Sequence, residues 1–178
     1  MIFDLARFLN GTDKVYHIEG EEKSNIEELK SDLFEIVGPI KYSGDIFKVD
    51  GSNLIHLDIL YKYKTQCDRC LKPTTLDIKT TLSGKLVESD KSYSNELIEE
   101  NYDMEDEEEI YYNKDLFNPK EYILNQVVAS LPMKTLCEDE CKGLCLNCGV
   151  NLNEESCDCV IENLDPRFEK LKNLFPKN

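Results

Sequence analysis

The chain has 178 residues, of which 40% are hydrophobic and 32% charged, and its formal net charge is −15. Its apolar runs are only a few residues long, whereas a membrane span needs about 20 apolar residues, so no membrane partner is expected. A chain this negative repels nucleic-acid phosphates over its average surface, and RNA binding would require a segregated basic patch. Residues 1–7 lack a basic start followed by an apolar stretch, which argues against a secretory signal.

The first forty residues carry weak structural signals. Residues 12–20 alternate between apolar and polar side chains and predict a first strand, while residues 21–33 predict a charged loop with a short helix. Gly38 and Pro39 then predict a break in the chain.

A hairpin is predicted after this break. Residues 40–49 and 54–61 are rich in β-branched and aromatic side chains with a period of two, and Asp50-Gly51 between them favours a tight turn. Residues 75–87 predict the next strand. The expected fold is therefore α+β, with an antiparallel β meander that forms an open barrel or sandwich and one helix packed against it.

Residues 96–109 carry nine acidic side chains and no basic one. Repulsion between like charges and a low apolar content favour a solvated linker. The same charges would also attract a basic partner, so a second interpretation as an electrostatic clamp remains open.

A helix is predicted over residues 119–131. Asn118 is a preferred capping residue, and Pro119 fits a first helical turn. One apolar face at helical spacing is expected to pack on the sheet, and it consists of Ile123, Leu124, Val127, Val128 and Leu131.

The last part of the chain is predicted to be a separate unit. Residues 1–136 are expected to form the β-rich domain with its acidic loop and its helix, and residues 137–178 a cysteine-rich tail packed on that domain. A short terminal helix is predicted to begin at Asp165-Pro166.

The eight cysteines occur in four short-spaced pairs, which are Cys67 and Cys70, Cys137 and Cys141, Cys145 and Cys148, and Cys157 and Cys159. Sulfurs that share one tetrahedral zinc ion must lie about 4 Å apart, and a two-residue gap in a tight turn achieves that distance. Gly143 and Gly149 permit the positive φ angles that such turns need. Eight thiolates match two structural zinc ions in a zinc-knuckle-like tail.

The spacing leaves the grouping of these cysteines open. The preferred grouping places Cys145, Cys148, Cys157 and Cys159 on one ion, and the remaining four on a second ion that clips the sheet to the tail. The alternative places Cys137, Cys141, Cys145 and Cys148 together.

Other uses of the cysteines are less consistent with this pattern. Disulfides suit secreted proteins, and redox pairs of the thioredoxin type lie at a strand-to-helix junction rather than in an antiparallel meander. An iron–sulfur cluster remains an alternative because four thiolates suit both metals. His17 and His56 lie on predicted strands and are expected to be structural. Because no glycine-rich phosphate loop and no open metal position is apparent, neither an enzyme nor a small-molecule substrate is expected.

The motifs around the cysteines resemble a known family. They are, in chain order, Cys67-Asp68-Arg69-Cys70-Leu71, Leu131-Pro132 after the helix, residues 137–153 with the sequence CEDECKGLCLNCGVNLN, Cys157-Asp158-Cys159, and Asp165-Pro166-Arg167. In these motifs the chain resembles the bacterial YceD family of large ribosomal RNA accumulation proteins, which has plastid relatives. The resemblance implies a cytoplasmic protein that supports synthesis, processing or stability of large-subunit ribosomal RNA, and it implies no catalytic residues.

Three functions are compared on this basis. The leading hypothesis is a non-enzymatic ribosome-assembly factor whose zinc sites rigidify loops that touch ribosomal RNA or a ribosomal protein, with Arg69, Lys72 and Arg167 as candidate RNA contacts. The second is a zinc-stabilised adaptor that holds a basic ribosomal protein. The third is a thiol redox enzyme, which requires an accessible cysteine of low pKa.

Overall fold

The fold is organised around a sheet of long antiparallel strands. The structure, a computed structural model, describes residues 1–23, 34–89 and 108–159. Its elements in chain order are β1 (Phe3–Asp4), α1 (Ala6–Asn10), β2 (Val15–Glu22), β3 (Phe34–Val49), β4 (Ser52–Gln66), β5 (Pro73–Glu88), β6 (Glu109–Tyr112), β7 (Leu116–Phe117) and α2 (Lys120–Ala129). The five strands β2 to β6 form one sheet in sequence order, and β1 pairs with β7 in a two-stranded sheet.

The predicted meander is confirmed for β2 to β5, which pair antiparallel in succession. The predicted break at Gly38-Pro39 is wrong, because β3 continues through both residues. The pairing of β3 with β4 shifts register between Val37 and Lys41, and Gly38 adopts a φ of 76°. Proline has no N–H to donate, and an irregularity in the ladder is a place where a strand tolerates it.

The last pairing in the sheet, between β5 and β6, departs from the meander. Strand β6 pairs parallel to β5, with Leu86 opposite Ile110, so the described sheet is mixed and not wholly antiparallel. Strands β2 and β6 are its two edges, and the sheet is open. The curled form, an open barrel or a sandwich, stays a prediction.

The core lies on one face of this sheet. Along β4 every second side chain is buried, as Ile55, Leu57, Ile59, Tyr61 and Tyr63 show. Helix α2 covers this face with Ile123 and Val127, and the Tyr61 hydroxyl donates to the Val127 carbonyl at 3.3 Å. Because Val128 is 51% exposed, its assignment to the packing face is wrong. The predicted cap at Asn118 is wrong by one residue, because Pro119 takes the capping position and the helix begins at Lys120. The Asn118 side-chain oxygen still accepts the Lys120 N–H at 3.2 Å.

Helix α1 has no counterpart among the predicted elements. Its five residues are too few to show periodicity, yet Phe8 is buried in the main core. The Lys48 ammonium donates to the carbonyl oxygens of Phe8, Leu9 and Gly11 at 2.6, 3.1 and 2.9 Å, which satisfies the end of this helix and fixes it to β3.

Several expectations fall outside the described residues. They are most of the loop and short helix over residues 21–33, nearly all of the acidic stretch 96–109, and the terminal helix at Asp165-Pro166. Glu21 and Glu22, at the start of the predicted loop, belong to β2 instead. The division into a domain and a tail stays a prediction. None of the helices in the part of the chain that the structure describes is long and apolar enough to cross a membrane.

Candidate metal centres

The first cysteine pair lies on the turn that joins β4 to β5. The Cys67 N–H donates to the Lys72 carbonyl and the Leu71 N–H to the Cys67 carbonyl, both at 2.9 Å. The Arg69 N–H points at the Cys67 sulfur from 3.5 Å. Because the turn closes two strands that are paired without a gap from Asn53–Leu86 to Gln66–Pro73, the positions of both sulfurs are set by the sheet.

The third cysteine pair repeats this turn in the tail. The Cys145 N–H donates to the Val150 carbonyl and the Gly149 N–H to the Cys145 carbonyl, both at 2.8 Å. In each turn the residue after the second cysteine has a positive φ, which is 59° for Leu71 and 75° for Gly149. We call these two turns knuckle 1 (residues 67–72) and knuckle 2 (residues 145–150). The positive φ expected at Gly143 and Gly149 is confirmed, at 79° and 75°.

Two contacts bring the segment after α2 to knuckle 1. The Asp68 N–H donates to the Thr135 carbonyl at 2.8 Å, and the Asp68 carboxylate accepts the Thr135 N–H in return. The Arg69 guanidinium donates to the Cys141 carbonyl at 2.7 Å. These contacts place Cys137 and Cys141 beside the knuckle.

The eight sulfurs form two groups of four. Centre 1 contains Cys67, Cys70, Cys137 and Cys141, centre 2 contains Cys145, Cys148, Cys157 and Cys159, and in each the four Sγ atoms lie within 4.8 Å of one another. This grouping is the one that the spacing favoured over the alternative of Cys137, Cys141, Cys145 and Cys148.

The sulfur distances suit a metal rather than disulfides. In centre 1, Cys67 and Cys141 are 3.7 Å apart and Cys70 and Cys137 are 3.5 Å apart. Zinc–sulfur bonds of about 2.3 Å in a tetrahedron require sulfurs about 3.8 Å apart. A disulfide bond measures about 2.05 Å, and all eight cysteines are free.

The two centres differ in burial. Cys67, Cys70 and Cys141 form a small apolar cluster with Leu136 and Leu144, separate from the main core. In centre 2, Cys145 is buried but Cys148 is exposed. Solvent therefore reaches centre 2 more readily than centre 1.

The thiols of each centre ionise unequally. Burial acts to raise the pKa of Cys67, but backbone N–H groups of Cys70, Arg69 and Cys137 lower it to about 6. The N–H groups of Cys148 and Asn147 lower the pKa of Cys145 to about 6.

A second thiol in each centre is held in its neutral form. Burial and then the Cys70 thiol raise the pKa of Cys137 to about 12. The Cys148 side chain and then burial raise the pKa of Cys159 to about 12. Four neighbouring thiolates repel one another. A bound divalent cation would offset this repulsion and so allow all four thiols of a centre to ionise.

The candidate RNA contacts are only partly brought together. Arg69 and Lys72 lie on knuckle 1, whereas Arg167 lies outside the described residues. The Lys72 ammonium is 4.0 Å from the Glu154 carboxylate. Lys62 and Lys64 are each 3.8 Å from a carboxylate, of Asp77 and Glu35 respectively.

Both histidines are hydrogen-bonded on the exposed face of the sheet. Nδ1 of His17 lies 2.8 Å from the Asp45 carboxylate, and Nδ1 of His56 lies 2.6 Å from the Ser83 hydroxyl. Within residues 1–23, 34–89 and 108–159, neither histidine joins a metal-ligating group.

Comparison with known proteins gives the family. The family model described as large ribosomal RNA subunit accumulation protein YceD matches residues 55–175, which is more than half of the chain and includes every cysteine. The chain belongs to the YceD family. It is also similar to the large ribosomal RNA subunit accumulation protein YCED homolog 1, chloroplastic, of Arabidopsis thaliana, with 40% identity over 53 residues. That match covers 30% of this chain and 16% of the relative. No solved structure matches.

The supporting residues of this YceD protein were not predicted. Thr135, Asp68 and Asn153 hold the centres together through backbone and side-chain hydrogen bonds. The Asx-type hydrogen bond at Asn151, whose side-chain oxygen accepts the Asn153 N–H at 3.1 Å, had a sequence signal, because asparagine favours such turns.

Leu71 and Gly149 occupy the same position in the two knuckles, so substitutions there should change stability in opposite directions. A Cβ in the left-handed region costs about 1 kcal/mol, so Gly149→Ala is expected to lower the free energy of unfolding by about that amount. Leu71→Gly removes the same strain and is expected to preserve or raise stability, although glycine's freedom in the unfolded chain offsets part of the gain.

Thermal unfolding of the metal-loaded protein measures both changes. Leu146→Gly is the control, because Leu146 is an exposed knuckle leucine outside the positive-φ residues. If Leu71→Gly destabilised the protein as much as Leu146→Gly, strain at Leu71 would be ruled out.

Proposed function

We propose that this protein is a non-enzymatic factor that supports large-subunit ribosomal RNA accumulation and ribosome biogenesis, with two structural zinc ions. The observation that carries the proposal is the YceD match over residues 55–175, which contains both sulfur groups. The RNA role acts through synthesis, processing or stability of the RNA. The cytoplasmic location that the family resemblance implies is part of the proposal.

Zinc fits the donors of both centres. Thiolates are soft ligands, and four of them at tetrahedral spacing form a closed shell that leaves no position for a reacting water. Cys67, Cys70, Cys137 and Cys141 would hold one ion and clip the tail to the sheet. Cys145, Cys148, Cys157 and Cys159 would hold the other and order the tail itself.

The burial of the thiols supports a structural rather than a redox role. The two thiols whose pKa is about 6 are Cys67 and Cys145, and they are only 0% and 3% exposed. A redox substrate would have to reach such a sulfur, since the accessible thiolate is the nucleophile.

We expect two zinc ions per chain in protein purified under reducing conditions. Metal analysis by mass spectrometry measures the content, and titration of accessible thiols before and after chelation measures their protection. Thiols that react only after chelation are the expected result. A metal content near zero, or an iron content of two or more with sulfide, would contradict structural zinc.

The ribosomal role is tested in cells that lack the protein. Large-subunit ribosomal RNA is expected to fall relative to small-subunit RNA, and the parent chain is expected to restore it. Cys137→Ser should restore it poorly, because it removes a ligand that joins the tail to the sheet. An RNA ratio that does not change on deletion would contradict the proposal.

A second candidate function is a protein-binding adaptor that holds a basic ribosomal protein. It is favoured by the carboxylates that lie 3.8–4.0 Å from Lys62, Lys64 and Lys72, because they lower the net positive charge near knuckle 1. Arg69 also directs its guanidinium to the Cys141 carbonyl. An RNA interface needs unneutralised cations gathered on one face.

The adaptor function makes a prediction for residues 96–109. Replacing this acidic stretch by Gly and Ser should weaken binding to a basic ribosomal protein, and raised salt should weaken binding of the parent, because exposed charges are screened. Pull-down at low and moderate salt compares the two chains, with large-subunit RNA as the second bait. Equal binding of both chains to both baits would reject a role for the segment, and increased RNA binding would show that it shields the protein from RNA.

A further inference from the structure

The side chain of Asn153 connects the two centres. Asn153 lies in the loop between Cys148 and Cys157, which belong to centre 2. Its Nδ2 donates to the Cys141 sulfur of centre 1 at 3.3 Å, and its Oδ1 accepts the Lys142 N–H at 2.7 Å. Because a backbone N–H only donates, the Lys142 contact fixes the oxygen toward Lys142 and the amide nitrogen toward the sulfur.

Backbone hydrogen bonds also connect the chain on either side of Cys145 and Cys148 to knuckle 1 and to Gly143. The Leu144 N–H donates to the Arg69 carbonyl of knuckle 1 at 3.1 Å, and the Leu152 N–H donates to the Gly143 carbonyl at 2.9 Å. Gly143 runs so close to knuckle 1 that a Cβ there would lie 3.1 Å from the Arg69 oxygen. The chain segment that leads into centre 2, residues 142–144, therefore packs against knuckle 1, which carries two ligands of centre 1.

The support runs in one direction. Cys67 and Cys70 are positioned by the β4–β5 turn and by the pairing of Asp68 with Thr135, neither of which uses centre 2. All four ligands of centre 2 come from residues 145–159, which follow Cys137 and Cys141 of centre 1 in the chain and contact knuckle 1 through the exposed Lys72–Glu154 ion pair. We therefore expect loss of centre 1 to release residues 142–144 from knuckle 1, whereas loss of centre 2 should leave the β4–β5 turn in place.

We propose that Asn153 is a positioning residue through which centre 1 governs metal retention in centre 2. The proposal rests on the binding of a metal at both centres. When the Cys141 sulfur is held by its metal, it offers Asn153 a fixed acceptor, and the loop that carries Cys148 and Cys157 is held in its ligating position. Residues that orient ligands in this way typically change metal affinity 10–100-fold when they are replaced.

The N–H···S contact also acts on centre 1. A thiolate that accepts a hydrogen bond from an amide is less electron-rich than a bare thiolate. Removal of the donor should shift the thiolate-to-metal charge-transfer band of cobalt-loaded centre 1 to lower energy. A residue that only maintained the fold would weaken this band rather than move it.

The first test compares the loss of one ligand from each centre. Cys157→Ser is expected to leave one tightly held zinc ion per chain, whereas Cys70→Ser is expected to release both ions, the ion of centre 2 about 10-fold faster than in the parent. Native mass spectrometry counts the ions, and a chromogenic chelator follows their release. If Cys70→Ser held its remaining ion as tightly as Cys157→Ser, the one-directional support would be refuted.

The second test isolates the amide donor. Asn153→Asp keeps the acceptor for the Lys142 N–H but loses the Nδ2 donor, and with it the bonds to the Cys141 sulfur at 3.3 Å and to the Asn151 side-chain oxygen at 2.9 Å. It is expected to bind two zinc ions at saturation and to release one of them about 10-fold faster than the parent. Asn118→Asp is the control, because it introduces the same charge and keeps its acceptor role at α2. Equal release rates for the parent and Asn153→Asp would overturn the role of Asn153.

The cobalt spectrum completes the design in the Cys157→Ser background, where centre 1 is the remaining intact group of four. A shift of the band in Asn153→Asp to lower energy supports the hydrogen bond to Cys141, and an unchanged band contradicts it. These outcomes differ from a failure of the zinc proposal, in which the parent chain itself would bind no metal.

Discussion

The convergence of four sulfurs at the end of the β4–β5 hairpin determines where the chain lies after α2. Two of these sulfurs come from a turn that the sheet fixes, and two come from the following segment. Among the described residues, the local apolar cluster contains Leu136 and Leu144 besides the cysteines, and burial of these two side chains contributes little. Structural zinc in short peptides contributes about 10–16 kcal/mol of apparent binding free energy, far more than two partly buried leucines supply.

This constraint explains why the site was more predictable than the sheet around it. Cysteine spacing is a local property, and each knuckle closes through hydrogen bonds within six residues, as Cys67 with Lys72 and Cys145 with Val150 show. The hairpin at Asp50-Gly51 was equally local, since Asp50 and Gly51 adopt positive φ angles of 47° and 82°. Both features were therefore visible in the sequence.

The features that sequence reasoning missed depend on distant partners. The parallel pairing of β6 with β5 joins segments separated by the long stretch of residues 90–107, and no periodicity in either strand reveals its direction. At Gly38-Pro39 the long pairing of β3 with β4 outweighed a local break signal. Leu71 likewise takes a conformation that favours glycine, because the ligand turn around it is fixed on both sides.

The proposed metal binding would also change the electrostatic character of the protein. The formal charge of −15 counts each thiol as neutral, but a divalent ion with four thiolates carries two negative charges, so two loaded centres bring the chain to −19. Residues 137–159 already hold six acidic side chains against one lysine. A metal ion bound in centre 2 would thus make the tail more repellent to phosphates and more attractive to a cationic protein segment, within the Debye length of about 8 Å at physiological salt. For a YceD protein of this composition, a route to ribosomal RNA through a basic protein partner is electrostatically easier than direct contact through the metal-bearing tail.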